Sequence, residues 1–356
     1  MPSKVLYSLL PCLTKKEKDA NGSYLLNGSI LLEDLIASSD GKLTNPIRHY
    51  SADELIKATN NFHSSCLVLE NALYNIFTGF LDNRLVIIKK EGRRDDSYCN
   101  FDQAKNEVIR DIIISMQMST HKNVLKLLGC CLEFPIPALV LEHAGKGVLN
   151  AVGGLGVNDS LNWKTRLRVA KQLANAITYL HTAFPRPIIH RNLKHSCIFL
   201  DDEFVPKISD FSDSITIPPE QSHVEDLVKG TFGYLDPAYR KSGCITEQTD
   251  VYSFGVILLV FLTGLNASKQ NQAAEKWESL VSYVKLHACD DQFQMIVDPK
   301  ILEGLGGEDE QAQQKQLHEF LSLALLCTQD KSEARPDMID VAKELVRIEN
   351  STFPPR

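Results

Sequence analysis

The chain has 356 residues, 44% hydrophobic and 23% charged, with a formal net charge of -7. That length suits about two domains or one two-lobed unit, and the composition excludes a disordered chain. The acidic balance excludes a dedicated nucleic-acid binder, which needs a basic surface.

In chain order, the stretch at 5–10 is mostly apolar, but only Lys4 precedes it and most positive charge (Lys15, Lys16, Lys18) follows, the reverse of a secretory signal. Pro2 rules out myristoylation. Cys12 is an acylation candidate, although a disordered tail is the commoner reading of such a segment. Residues up to about 45 are polar and broken by Asn-Gly and Asp-Gly turn signals; the patch from Ile30 to Ile36 reads as one amphipathic helix with an acidic face. Ser51 followed three residues later by Glu54 is a capping box that starts a helix over 52–60.

Strand character dominates 66–90, where Leu85-Val86-Ile87-Ile88 follows an Asp82-Asn83 turn as a hairpin would. A helix is expected over 101–118, then strands at 124–128 and 138–141. Beyond Trp163 the periodicity predicts helices over 163–182, 248–265, 276–288, 313–328 and 337–349. A strand-rich first third and a helical remainder suggest two unequal lobes. The longest apolar run, Val256–Leu262, is far below the roughly 18 residues that span a bilayer, so it reads as a buried helix and no transmembrane segment is expected.

The nine cysteines show no metal-site spacing and suit reduced cytosolic thiols; the adjacent Cys130 and Cys131 read as packing. The Asn-x-Ser/Thr triplets at Asn21, Asn27, Asn158, Asn266 and Asn350 are then chance matches. His121, His181 and His190 form no nucleophile triad with an identifiable serine.

Four stretches in order carry more specific chemistry: Val86-Ile87-Ile88-Lys89, His190-Arg191-Asn192, Asp210-Phe211-Ser212, and Gly230-Thr231-Phe232-Gly233-Tyr234-Leu235-Asp236-Pro237. With Asp250-Val251-Tyr252-Ser253-Phe254-Gly255 and Arg335-Pro336, they resemble the signature set of protein kinases over roughly 51–348. The resemblance implies an α+β, bilobal protein-kinase-like fold: an N-terminal extension to residue 50, a small strand-rich N-lobe over about 51–142, and a larger helical C-lobe over about 143–350.

Phosphoryl transfer needs positioned phosphates, metal ions and a base for the hydroxyl proton. Asn192 stands where the family has the aspartate base, and an amide cannot accept that proton at neutral pH. Cys197 stands where an asparagine holds the second magnesium, and a thiol is a poor ligand for that hard ion. Ser212 replaces the glycine of Asp-Phe-Gly. Counted back from Gly79, the three phosphate-loop glycines fall at Leu69, Asn71 and Tyr74, whose side chains bar close approach of backbone to phosphate. No catalytic set is therefore expected. What survives for nucleotide binding is Lys89, Lys194, Asp210 and an acid for Lys89, with Glu107 and Asp111 on one helix face and both open. ATP and magnesium are expected to bind weakly at best, and no cofactor is required. Ala238 replaces the acid that pairs an arginine such as Arg335, which then needs a substitute partner. The segment 213–231, carrying Ser214, Thr216, Ser222 and Thr231, is expected to be free for partner binding.

Further runs, among them Asn27-Gly28-Ser29-Ile30-Leu31-Leu32-Glu33-Asp34-Leu35-Ile36, Ala58-Thr59-Asn60-Asn61-Phe62 and Thr178-Tyr179-Leu180-His181-Thr182-Ala183-Phe184-Pro185, are similar to the ZED-related pseudokinases, receptor-like cytoplasmic kinases of plants. That resemblance implies a cytoplasmic innate-immunity adaptor, associated with the plasma membrane if Cys12 is acylated. Its expected partners are a nucleotide-binding leucine-rich-repeat immune receptor and a bacterial effector or effector-modified kinase. The rival readings are a weakly active serine/threonine kinase using Lys89, Asp210 and Lys194, and a switch that binds ATP without turnover.

Overall fold

The structure, a computed structural model, describes residues 15–39, 47–71, 73–92, 101–156, 160–271, 276–288, 293–304 and 310–351. Cys12 and the apolar stretch at 5–10 lie outside them. The described residues fall into two compact units, one within Met1–Ser119 and Lys126–His143, the other within Thr120–Leu125 and Ala144–Arg356.

The first unit is strand-rich. Its elements are α1 (Lys15–Ser39), β1 (Arg48–His49), α2 (Ala52–Ala58), β2 (Leu67–Glu70), β3 (Tyr74–Leu81), β4 (Arg84–Glu91), α3 (Phe101–Gln117), β5 (Leu127–Cys131) and β6 (Ala138–Glu142). The six strands run in the order β1-β5-β6-β4-β3-β2, and only the β1–β5 pair is parallel. The β3–β4 hairpin turns at Asp82 and Asn83, which both take positive φ (51° and 59°), as a two-residue turn matched to sheet twist requires. One face of the hairpin closes a core of Tyr50, Leu55, Leu81, Val86, Ile88, Cys131, Ala138 and Val140. Ser51 and Glu54 form the expected reciprocal cap of α2.

Two expectations fail in this unit. The polar N-terminal stretch is one 25-residue helix rather than a short one, and Asn21-Gly22 and Asn27-Gly28 lie inside it. Tertiary bonding overrides the turn signal: Asn27 is fully buried and its amide donates to the carbonyls of Leu132 and Phe134, both at 2.9 Å. No glycan can sit on that nitrogen. The strand expected at 124–128 begins instead at Leu127, where pairing with β6 starts. Gly129 admits β1 alongside it, because a Cβ there would collide with the Arg48 carbonyl oxygen and come within 2.7 Å of the Tyr50 ring. Cys130 and Cys131 are buried, and burial pushes their thiols up to about 12 and about 11, so they are packing groups and not nucleophiles.

The second unit is mainly helical. It contains β7 (Gly147–Val148), α4 (Trp163–Thr182), β8 (Ile188–Ile189), β9 (Ile198–Leu200), β10 (Pro206–Ile208), β11 (Ile215–Thr216), β12 (Val224–Glu225), α5 (Pro237–Ser242), β13 (Cys244–Ile245) and α6 (Glu247–Thr263). After these come β14 (Ser268–Asn271), β15 (Lys276–Ser279), α7 (Leu280–His287), α8 (Phe293–Ile296), α9 (Pro299–Glu303), α10 (Glu310–Cys327) and α11 (Met338–Asn350). The apolar run Val256–Leu262 lies in α6, buried all round, with α4 and α10 against it and α11 against α4. No described helix is long and apolar enough to cross a membrane. The helix expected over 276–288 begins only at Leu280, because Lys276–Ser279 pair with Ser268–Asn271 as a hairpin. One strand-rich unit and one mainly helical unit give the α+β class expected from the sequence.

Candidate functional site

In the first unit, β4 carries Lys89 opposite Ile76 of β3, and α3 carries the two acids left open by the sequence. Asp111 takes the lysine: Nζ donates to its Oδ2 at 2.6 Å, and both side chains are almost fully buried. Ser115, one turn on, also donates to Asp111 (3.3 Å). Glu107 accepts instead from Gln103 at 2.9 Å. The ring of Tyr74 lies over the Lys89 ammonium at 4.1 Å, a cation–π contact made by a residue that fills a glycine position of the family pattern.

The turn before β3 is closed by Asn71, whose side-chain oxygen accepts from the backbone N–H groups of Leu73 and Tyr74, both at 2.8 Å. Backbone amides of this loop are what a glycine-rich sequence would aim at phosphate. Here two of them already have a carbonyl partner, and Leu69 is held in β2 opposite Ile76.

In the second unit, Asp250 at the start of α6 organises the loop after β8. Its carboxylate accepts from the backbone N–H groups of His190 (2.7 Å) and Arg191 (2.8 Å) and meets His181 Nε2 at 3.0 Å. Arg191 and Asp210 both take φ of 69°, a strained backbone that persists because such surrounding bonds fix it. The His190 ring packs beside Phe211 and bonds the Ser209 carbonyl.

Asn192 is engaged at both ends of its amide. Nδ2 donates to Asp213 Oδ2 at 2.9 Å, and Oδ1 accepts from the Thr231 hydroxyl at 2.8 Å. Lys194 donates to that same hydroxyl at 3.0 Å, and Lys229 lies 3.5 Å from Asp213. Cys197 is fully buried with its thiol directed at the Asn192 carbonyl (3.4 Å), and Ser212 donates to Asp210 at 2.7 Å. Asn192, Lys194, Cys197, Thr231 and Asp213 thus form one connected group. Asp213 was not among the residues singled out from the sequence; its only signal there was its place three residues after Asp210.

The segment expected to bind partners divides. Ser214 is fully buried and donates to the Phe211 carbonyl at 2.6 Å, so, contrary to expectation, it presents nothing to a partner. Thr231 is half-buried in the Asn192 group, whereas Thr216 and Ser222 are exposed. The segment is pinned through Arg191, which bonds Asp226 at 2.9 Å, the Tyr239 hydroxyl at 2.9 Å and the Leu227 carbonyl. Burial works to raise the Asp226 carboxyl, but the Leu227 N–H and the Arg191 guanidinium outweigh it and hold the group below its usual range. An acid of the chain itself therefore pairs with the buried Arg191 guanidinium. Arg335 finds its substitute partner in Asp236, which receives two bonds at 2.7 and 2.8 Å in a fully buried pair.

His195 Nδ1 shares a 3.0 Å hydrogen bond with the Tyr234 hydroxyl, and burial, with Lys194 next to it, lowers the imidazole to about 4. The folded state thus resists a proton that the unfolded state takes up near 6.5. Stability is expected to fall by about 2–3 kcal/mol as pH drops from 6.5 toward 4, with no contribution from this group above 6.5. Urea unfolding across that window is the check: His195→Gln should flatten the loss, and an unchanged slope would refute the assignment.

The sequence profile of the protein tyrosine and serine/threonine kinase family matches residues 79–345. Among Arabidopsis thaliana proteins, the chain is 44% identical to the non-functional pseudokinase ZED1, covering 95% of this chain and 99% of that one. It is 43% identical to the non-functional pseudokinase ZRK2 (94% and 92% covered) and 43% identical to the serine/threonine-protein kinase ZRK1 (95% of each).

Proposed function

The chain belongs to the protein tyrosine and serine/threonine kinase family, among relatives named both as kinases and as pseudokinases, and from that premise we propose that it is an inactive member working as an adaptor. Since the relatives divide, the chain's own residues must decide. The observation that carries the reading is Asn192: a neutral amide stands at the base position, bonded on one side to Asp213 and on the other to Thr231. It has no basicity to offer, and general-base help is worth about 10²–10⁴ in rate. Two further positions suit magnesium–nucleotide no better. The ligand position at Cys197 offers a thiol, and the Leu73 and Tyr74 amides are bonded to Asn71.

The adaptor is proposed to be cytoplasmic and to serve plant innate immunity, linking a nucleotide-binding leucine-rich-repeat receptor to an effector or effector-modified kinase. The family resemblance supports this role, together with the Arg191–Asp226 ion pair that ties the segment to the loop after β8. Capture of the tagged chain from plant tissue should bring down such a receptor; its consistent absence would defeat the role.

The rival, a slow serine/threonine kinase, draws on the retained Lys89, Asp210 and Lys194. Radiolabelled autophosphorylation separates the two readings, with Asp210→Asn as control because Lys89→Ala would also break a buried ion pair. Incorporation no greater than the control is expected. Label present in the parent and lost in the control would restore the enzyme reading. In the same preparation, ATP with or without magnesium is expected to leave the melting temperature unchanged. Binding at 100 times Kd would add about 2.7 kcal/mol and be plain to see.

A further inference from the structure

The ribbon made by β12 and β13 brings three metal-ligating side chains together away from the kinase residues. Glu225 and Cys244 are directly opposite in the antiparallel register, which puts their side chains on one face. His223 lies just before the strand, two residues ahead of Glu225, and its imidazole comes close to the same pair. The imidazole, carboxylate and thiol offer ligand atoms that all lie within 4.8 Å of one another, with Cys244 Sγ 3.9 Å from Glu225 Oε1. The first two residues are exposed and Cys244 half-buried.

The backbone under this group is fixed from both sides. Asp226, next to Glu225, is held by Arg191, and Cys244 follows the left-handed Gly243 (φ 75°) that ends α5, its N–H bonded to the Ser242 hydroxyl at 3.0 Å. A tetrahedral zinc ion with N, O and S ligands at about 2.0–2.3 Å sets its donors roughly 3.3–3.6 Å apart. Rotamer changes of exposed side chains supply the remaining closure without moving backbone.

We propose that His223, Glu225 and Cys244 form a zinc-type divalent transition-metal site, with a fourth position left to water, that clamps the β12–β13 ribbon. The donor set selects the metal: thiolate and imidazole favour zinc or cobalt, and a magnesium ion, which wants oxygen, is excluded. Binding joins the segment at 223–226 to the residues leading into α6, so that the Arg191–Asp226 contact and the metal hold the same stretch from two sides. This site does not depend on whether the chain transfers phosphate.

The test uses the metal-free full chain titrated with cobalt(II) alone, followed by zinc(II). One cobalt per chain is expected, with a thiolate-to-cobalt charge-transfer band that zinc abolishes and excess magnesium leaves in place. Cys244→Ser should remove the band, His223→Ala should weaken binding by about tenfold or more, and Cys66→Ser should change nothing. All three sites are on or near the surface, and circular dichroism confirms folding of each variant. Absence of the band in the parent, or its survival in Cys244→Ser, overturns the proposal.

Discussion

Asp111→Ala is expected to destabilise the chain by about 3–5 kcal/mol, whereas Glu107→Ala stays within roughly 0.5 kcal/mol. The difference follows from burial. The Lys89 and Asp111 side chains keep only 6% and 2% of their exposure, and their 2.6 Å bond is shielded from water. Truncating the acid leaves an ammonium in that setting, with the Tyr74 ring against it but no opposite charge from residue 111. Replacing both partners tests whether the charge or the packing matters. A Lys89→Met, Asp111→Leu chain removes both charges at similar volume and should recover most of the loss. Urea unfolding of the four chains measures this, and the account fails if the Glu107 variant proves the costlier single change. Should the double variant remain folded, it would also provide a chain without the family lysine in which partner capture can be measured.

What the sequence made legible is local. The β-branched run before Lys89, the capping box at Ser51 and the apolar run of α6 each depend on neighbours within a few residues, and each appears where it was expected. What it hid is non-local. Asn27-Gly28 is a turn signal until the amide reaches carbonyls more than 100 residues away. Lys276–Ser279 reads as the first turn of a helix until β14 pairs with it. The site divides in the same way. The losses at Asn192, Cys197 and the glycine positions are visible because a family pattern fixes what should stand there. The bonds that now hold them are not: Asp213, which no such pattern marks, holds the amide, and Asn71, itself at a glycine position, closes the loop, and both roles follow only from distance. Glu107 and Asp111 share a helix face one turn apart, so periodicity cannot choose between them; the reach of Lys89 does. Asp236 was legible within the segment motif, but its pairing with Arg335 spans 99 residues.

Asn192→Asp, the change that restores the family's base, is expected to make the protein worse rather than active. The native amide gives its proton to Asp213 Oδ2 across 2.9 Å. A carboxylate in its place would set two acceptors against each other in a buried site, losing the hydrogen bond and adding like-charge repulsion that Lys194 and Lys229 only partly offset. A cost of about 1–3 kcal/mol at neutral pH is expected, with no gain in phosphate transfer, because the loop amides and the Cys197 position are unchanged. The pH dependence has a definite sign. Repulsion raises the folded carboxyl above its unfolded value, so the folded variant binds a proton more readily than the unfolded chain. Its deficit relative to the parent therefore shrinks as pH falls from 7 toward 4. Adding Asp213→Asn exchanges donor and acceptor across the same contact and should return the stability lost, a coupling of about 1–3 kcal/mol in a double-mutant cycle. If Asn192→Asp is as stable as the parent at pH 7, or if Asp213→Asn fails to rescue it, the amide is not fitted to Asp213. The base position would then accept the family's residue, and only the bonded loop amides and the thiol at Cys197 would stand against phosphate transfer.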